Sequence, residues 1–280
     1  MDYYTQQHVF QISRDGIMAC QRVPAALLGA LLAATQALLF GVASASTAVD
    51  PPESKSNWSY AGETGPAHWA ELDAEYTVCG SGQRQSPIDL KGATTKAIAN
   101  IDFHYSKVPL SLSNNGHRVQ VPVPPGSHMT LDGQRYDLQQ LYFHTPSEHR
   151  VDGKLSDGEL HLVHKHADGS LAVVGVLLET GSANPALAPI ISAAPEKNSG
   201  PVNTGKHIDV NALLPRQRTS YRYVGSLTTP PCTEGVKWTV MSEPIELSSA
   251  QLDRLTMATG KNNRPVQPRN GRPLLKDSTP

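Results

Sequence analysis

The chain has 280 residues, of which 39% are hydrophobic, 18% charged and 6% aromatic, and its formal net charge is −1 at pH 7. This composition is typical of a globular protein, and the near-neutral charge without a basic run argues against a nucleic-acid partner. Glycine and proline, with 22 of each, indicate many turns and few long helices.

The beginning of the chain is typical of an export signal. Arg22 precedes an apolar run over 23–42 that contains two polar residues, and Ala43-Ser44-Ala45 follows as an A-x-A cleavage pattern. The run is close to membrane-spanning length, so an uncleaved membrane anchor stays open as the alternative. Cleavage predicts a periplasmic or secreted protein with no membrane partner.

These features divide the chain into three segments. Residues 1–45 are predicted to be a signal peptide, with Met18 as an alternative start. Residues 46–57 are rich in proline, serine and lysine and are predicted to be a flexible lead. Residues 58–280 form the remaining domain, and this length suffices for one large domain.

Two cysteines, Cys79 and Cys232, remain once the signal with Cys20 is removed. An even pair in an exported chain predicts a disulfide. Two unpaired buried thiols are the alternative.

Most of the domain has the pattern of strands. Alternating or continuous apolar runs predict strands at 101–105, 110–114, 117–121, 137–149, 159–164, 171–178, 221–227 and 236–240. Helices are predicted over 183–197 and over Ser248–Thr259, the second with Ser248 or Ser249 as N-cap and Gly260 just past its end. Many strands without a regular βαβ alternation indicate a mainly β (α+β) fold.

Two of these strands carry metal-binding side chains. Alternation places Gln140, Tyr142 and His144 on one face of the first, and Glu159 and His161 on one face of the second. Side by side, the two strands would bring the histidines together, with an amide and a carboxylate behind them. That is the layout of a histidine metal site with its supporting hydrogen bonds.

Six motifs in one order resemble the α-class carbonic anhydrases, in particular the exported bacterial branch. They are Gln85-Ser86-Pro87-Ile88-Asp89, Asn114-Asn115-Gly116-His117, Phe143-His144-Thr145-Pro146-Ser147-Glu148-His149, Glu159-Leu160-His161-Leu162-Val163-His164, Ser226-Leu227-Thr228-Thr229-Pro230-Pro231-Cys232 and Asn263-Arg264-Pro265-Val266-Gln267-Pro268.

The resemblance implies a fold and a cofactor. The fold is one large twisted, mostly antiparallel sheet of about ten strands with short peripheral helices. The cofactor is Zn²⁺ held by three histidines, and a zinc-bound hydroxide reversibly hydrates CO2 to bicarbonate and a proton. By position, His144 and His161 are two of the ligands, Glu159 accepts a hydrogen bond from His161, and Gln140 supports the remaining ligand.

The resemblance also implies catalytic residues. Thr228, which donates to Glu148, would orient the nucleophile, and Thr229 would help to place bicarbonate. His117 would carry the proton away, since an imidazole titrates near neutral pH; a plain surface histidine is the alternative. The residues matching the apolar wall that holds CO2, each of which could equally be ordinary core, are Val163, Val173, Leu227, Val236 and Trp238.

Tyr142 departs from the family pattern, because it stands where the family has the first zinc-ligating histidine. Tyrosine ligates zinc only as phenolate, and its ordinary pKa is about 10. Its oxygen also lies farther from the backbone than an imidazole nitrogen does, so the ring would run through the metal position.

Two classes of function therefore stay open. One is a carbonic anhydrase that is weakened, or that completes its zinc site with Tyr142 or water. The other is a non-catalytic carbonic-anhydrase-related binding or interaction protein without zinc. A sequence error at this codon and a homodimeric assembly also stay open.

Overall fold

The computed structural model describes residues 57–279. The predicted signal peptide and residues 46–56 of the predicted lead lie outside this range. Within it there are four short α-helices: α1 (Trp69–Leu72), α2 (Val78–Ser81), α3 (Ala188–Ala193) and α4 (Ser249–Thr259). Three 3-10 turns accompany them at Gly62–Thr64, Ala74–Tyr76 and Val210–Leu213. None of the described helices has the length and apolarity needed to span a bilayer.

Strands make up the larger part of the described chain. They are β1 (Thr94–Lys96), β2 (Asp102–His104), β3 (Lys107–Asn114), β4 (Val119–Pro122), β5 (His128–Leu131), β6 (Gln134–His144), β7 (Arg150–Val151), β8 (Lys154–Leu155), β9 (Gly158–Lys165), β10 (Leu171–Thr180), β11 (Ser199–Asp209), β12 (Ser220–Ser226), β13 (Glu234–Met241), β14 (Ile245–Leu247) and β15 (Leu275–Asp277).

Thirteen of the described strands form one sheet, and β7 and β8 form a separate hairpin. Ten strands follow one path in the order β1-β15-β12-β13-β10-β9-β6-β4-β3-β11, to which β14, β2 and β5 are added. Three strand pairs, β1 with β15, β10 with β13 and β10 with β14, are parallel, and the remaining pairs are antiparallel. The predicted sheet type is confirmed, with thirteen strands in place of about ten.

The two predicted helices differ in outcome. Helix α4 begins after Ser248, whose hydroxyl accepts from the Gln251 backbone while the Gln251 side chain accepts from the Ser248 backbone, and Gly260 follows its end. Helix α3 covers only six residues of the predicted 183–197. It ends before Ala194, which is non-helical at φ −56°, ψ 119°, because Pro195 disfavours a helical residue before it.

The central strands are buried on both faces of the sheet. Along β10, Val173 and Leu177 belong to one hydrophobic cluster, whereas Val174 and Val176 belong to the cluster on the opposite face. Successive side chains of a strand point to opposite faces, so the continuous apolar run of β10 follows from its central position. The cluster that contains Val173 is called here the site-side cluster.

A disulfide joins Cys79 of α2 to Cys232, 153 residues further along the chain. Both cysteines are buried with Trp69 and Tyr76. Cys232 lies four residues after Thr228, so the bridge ties the loop that carries Thr228 to the N-terminal part of the domain. The predicted pairing is confirmed.

We expect the bridge to contribute substantially to stability, because it closes a loop of 153 residues and so restricts the unfolded chain. The double variant Cys79→Ser, Cys232→Ser should lose about 2–5 kcal/mol of unfolding free energy. Urea unfolding measures this, with the wild-type protein in reducing buffer as a matched comparison. Two reactive thiols in the denatured, unreduced wild type would contradict the bridge.

Candidate metal centre

The site lies where β6 and β9 run side by side near the ends that hold His144 and His161. The two strands are antiparallel, and the register pairs Tyr142 with His161 and His144 with Glu159. The centres of the two imidazole rings are 4.6 Å apart, and both side chains are fully buried. The predicted proximity of the two histidines is therefore present in the structure.

The Glu159 carboxylate is surrounded by hydrogen-bond donors. Oε2 accepts from the backbone N–H groups of Glu148 and His149, both at 2.9 Å. Oε1 lies 2.7 Å from His149 Nδ1 and 2.9 Å from His161 Nε2. Burial opposes ionisation, but the neighbouring His149 and His161 hold the pKa of Glu159 well below its usual range. The ionised carboxylate can only accept, so His161 donates through Nε2 and its Nδ1 carries a lone pair.

His144 is fixed in a similar way by a different partner. Its Nδ1 lies 2.6 Å from the backbone carbonyl oxygen of Asn262 and must donate to it. Burial, followed by the neighbouring His161, lowers the pKa of His144 well below its usual value. The ring is therefore neutral, and Nε2 carries a lone pair.

Three buried polar atoms share one space. His144 Nε2 lies 3.4 Å from Glu148 Oε2, and His161 Nδ1 lies 4.0 Å from the same oxygen. None of the three atoms makes a hydrogen bond within the described part of the chain. Their spacing suits an ion. A second group of similar spacing, His149, Glu159 and His161, is already joined by hydrogen bonds.

The other oxygen of Glu148 is held by the backbone. Oε1 accepts from Arg264 N–H at 2.9 Å. Burial raises the pKa of Glu148 to about 8, against the opposing effects of the Arg264 N–H and the Thr228 hydroxyl. Thr228 is thus close enough to act on the carboxylate, although its Oγ1 has no described partner in ordinary hydrogen-bond geometry.

Tyr142 lies beside both histidines. Its ring centre lies 5.4 Å from that of His144 and 5.4 Å from that of His161, edge-on in both cases. The side chain is 4% exposed. The Arg118 guanidinium carbon lies 4.3 Å from the centre of the same ring. Gln140, two residues earlier on β6, is also buried.

The predicted apolar wall lies next to Tyr142. The site-side cluster contains Tyr142, and its members from the prediction are Val163, Val173, Val236 and Trp238, with Leu227 partly buried against it. Thr229 follows Thr228 in the same loop and is 8% exposed.

His117 lies apart from the histidine pair, against an aromatic side chain. Its ring stacks on Trp58 with centres 3.8 Å apart and planes 11° from parallel. Burial lowers the pKa of His117 to about 4, and the positive charges of Arg118 and Lys197 add to this effect. In this position the imidazole is neutral at pH 7 and a weak base.

Sequence reasoning missed several residues that build the site. Asn262 accepts from His144 and also donates its amide to the backbone oxygens of Phe143 and His117. His149 shares the Glu159 carboxylate with His161. Its second nitrogen lies 2.7 Å from the Tyr223 hydroxyl. The one signal available in the sequence was the position of Asn262 next to a recognised motif.

A glycine makes room for the Glu159 carboxylate, and this generates a prediction. A Cβ at Gly175 would lie 2.8 Å from Glu159 Oε1 and 3.4 Å from Val240 Cγ2. Gly175→Ala should therefore lower the unfolding free energy by about 1–3 kcal/mol, as measured in urea. Gly200→Ala, whose Cβ would meet nothing within 4 Å, is the matched control and should change it by less than about 0.5 kcal/mol. Equal effects of the two variants would refute this account of Gly175.

The burial of His117 generates a second prediction. Trp58→Ala removes the ring that covers the imidazole, so the pKa of His117 should rise from about 4 toward the ordinary value of about 6.5. An NMR pH titration of the imidazole protons measures it. Lys197→Gln removes one nearby positive charge, which has a weaker effect than burial, and should raise the pKa of His117 by less. A pKa unchanged by Trp58→Ala would show that burial is not the cause.

Comparison with known proteins identifies the family. Residues 64–278 match the model of the eukaryotic-type carbonic anhydrases. A carbonic anhydrase of Nostoc sp. is 42% identical over 246 residues, which are 85% of this chain and 93% of that protein. One from Klebsiella pneumoniae is 44% identical over 224 residues, or 79% and 91% of the two chains.

A solved structure agrees with these sequence relatives. The α-carbonic anhydrase of Thermovibrio ammonificans, in complex with the inhibitor sulfanilamide, superposes with a TM-score of 0.78 at 41% identity, covering 80% of this chain and all of that one. The chain therefore belongs to the eukaryotic-type, or α-class, carbonic anhydrase family.

Proposed function

We propose that this chain is an exported carbonic anhydrase, acting on CO2 and bicarbonate, whose zinc site is impaired at one ligand. One observation carries the proposal: His144 Nε2, His161 Nδ1 and Glu148 Oε2 converge in a buried space without hydrogen-bond partners among the described residues. Buried polar atoms are normally satisfied, so the lone pairs of two neutral imidazole rings that share a space without partners favour an ion between them.

The donor set of the two histidines fits zinc. Imidazole nitrogens are ordinary zinc ligands, and each ring donates its other N–H to a fixed acceptor, Asn262 O or Glu159. His144 and His161 would therefore hold the ion. Zinc, when bound, supplies a Lewis acid that generates a nucleophile from water near neutral pH.

The chain's own residues would then orient and supply the reactants. Glu148, fixed through Oε1 by the Arg264 N–H, would accept from Thr228 and so set the direction of the threonine hydroxyl. The site-side cluster supplies an apolar surface for CO2, and Thr229 would help to place bicarbonate. His117 would accept the released proton, weakly at pH 7 while it stacks on Trp58.

The residue at the third ligand position, Tyr142, does not suit zinc. Tyr142 presents a neutral phenol at neutral pH unless it is strongly perturbed, and its ring lies 5.4 Å from each imidazole ring. Gln140, which would support a histidine there, is buried two residues before it. We therefore expect zinc to bind more weakly than at a three-histidine site.

The presence of Tyr142 also supports a second function, that of a binding or interaction protein. With Tyr142 under the guanidinium of Arg118, the chain would be a carbonic-anhydrase-related binding or interaction protein without zinc. The retained arrangement of Glu148, Thr228 and the apolar cluster supports the enzyme as the better proposal.

The disulfide supports export. Disulfides persist in oxidising compartments, so the bridge between Cys79 and Cys232 agrees with a signal over residues 1–45 and a periplasmic or secreted mature domain. Membrane anchoring through an uncleaved segment is the alternative.

Replacing Tyr142 by histidine decides between a zinc-dependent carbonic anhydrase and a binding protein without zinc. Tyr142→His should raise both the zinc retained after dialysis against a mild chelator and the rate of CO2 hydration, by about 10-fold or more. The histidine would face His144 by strand alternation and needs no backbone change. Tyr142→Phe is the matched control: it removes the phenol oxygen without adding a ligand.

The control also tests whether the phenol is a ligand. If Tyr142→Phe loses zinc that the wild type retains, the phenolate completes the site. In that case the argument that the tyrosine ring is too long for the metal position is wrong. If Tyr142→His binds zinc fully but stays inactive, the results favour a binding or interaction protein over an enzyme.

A further inference from the structure

A buried positive charge lies beside the candidate metal centre. Arg118 follows His117 directly before β4, and it is 8% exposed. The guanidinium carbon lies 4.3 Å above the Tyr142 ring, and Nε donates to Gln120 Oε1 at 3.1 Å. Arginine keeps its charge in proteins under all ordinary conditions, so this charge is permanent.

The stacking places that charge one ring away from the histidine pair. The guanidinium lies over the face of the Tyr142 ring, and the centre of that ring is 5.4 Å from the centre of each imidazole. The guanidinium carbon is thus within about 10 Å of each imidazole centre, a distance at which like charges still repel.

We propose that Arg118 is a specificity-determining residue, whose fixed charge weakens the binding of divalent cations between His144 and His161. The proposal rests on the metal site proposed above. A single and a double positive charge within about 10 Å of each other repel enough, with the partial screening of a protein site, to weaken binding by about tenfold. Tyr142 thus accounts for part of the expected loss of zinc affinity, and Arg118 for a separate part.

Cation affinity, and not activity, is the measurement that tests this role. Titration of the purified protein with Co²⁺, followed by its visible absorption and by calorimetry, gives the dissociation constant directly. Arg118→Gln keeps length and polarity but removes the charge, and should bind Co²⁺ about tenfold or more tightly than wild type. Arg118→Lys keeps the charge and should remain within about threefold of wild type.

Arg218→Gln is the matched control. Arg218 is partly buried and also lies over an aromatic ring, with its guanidinium carbon 5.6 Å from the centre of Phe103. Phe103 packs against the cluster on the opposite face of the sheet. This variant should leave the Co²⁺ affinity unchanged, and near-UV circular dichroism of each variant verifies the fold.

The Tyr142→His background separates this inference from the proposed metal site. If Tyr142→His binds Co²⁺ and adding Arg118→Gln tightens it further, both are supported. If Tyr142→His binds and Arg118→Gln changes nothing in either background, the role of Arg118 is refuted while the site stands. Equal tightening by Arg118→Lys and Arg118→Gln would also refute it. Absence of binding in every background would remove the metal site and the inference with it.

Discussion

The ionised Glu159 carboxylate is the constraint on which the site depends. A carboxylate buried without compensation would be costly, and here four hydrogen bonds from Glu148, His149 and His161 satisfy it. The two backbone donors hold the segment after β6 in place, and the two ring donors fix the histidine orientations. As a result, the lone pair of His161 points to the same space as the Glu148 side chain.

Glu148 connects this space to the rest of the domain through Arg264. The Arg264 backbone holds one carboxylate oxygen, while its buried guanidinium donates to Gln85 Oε1 and to the backbone oxygens of Ser86 and Cys79. Cys79 is in turn bridged to the end of the threonine loop. The position of the carboxylate thus depends on three distant segments of the chain, which explains why a site of few residues needs nearly the whole domain.

The proposed metal site has two histidines on one side and the Tyr142–Arg118 pair on the other. His144 and His161 each direct a ring nitrogen without a described partner into one buried space. Tyr142 places an aromatic ring beside them, and the Arg118 guanidinium lies over that ring. A cation–π contact stabilises a pair most when it is shielded from water, so this buried pair favours folding, whereas under our proposal the same charge weakens metal binding.

The sequence by itself determined the mainly β class, the helix that begins after Ser248, and the two strands carrying His144 and His161, because side-chain periodicity and capping are local properties. The sequence could not show the cation–π contact of Arg118 with Tyr142 or the hydrogen bond from His144 to the Asn262 carbonyl oxygen. Those contacts join residues 24 and 118 positions apart, and nothing local to either partner indicates them. Only the tertiary structure decided them, since strand pairing and the packing of the C-terminal segment set which distant groups meet.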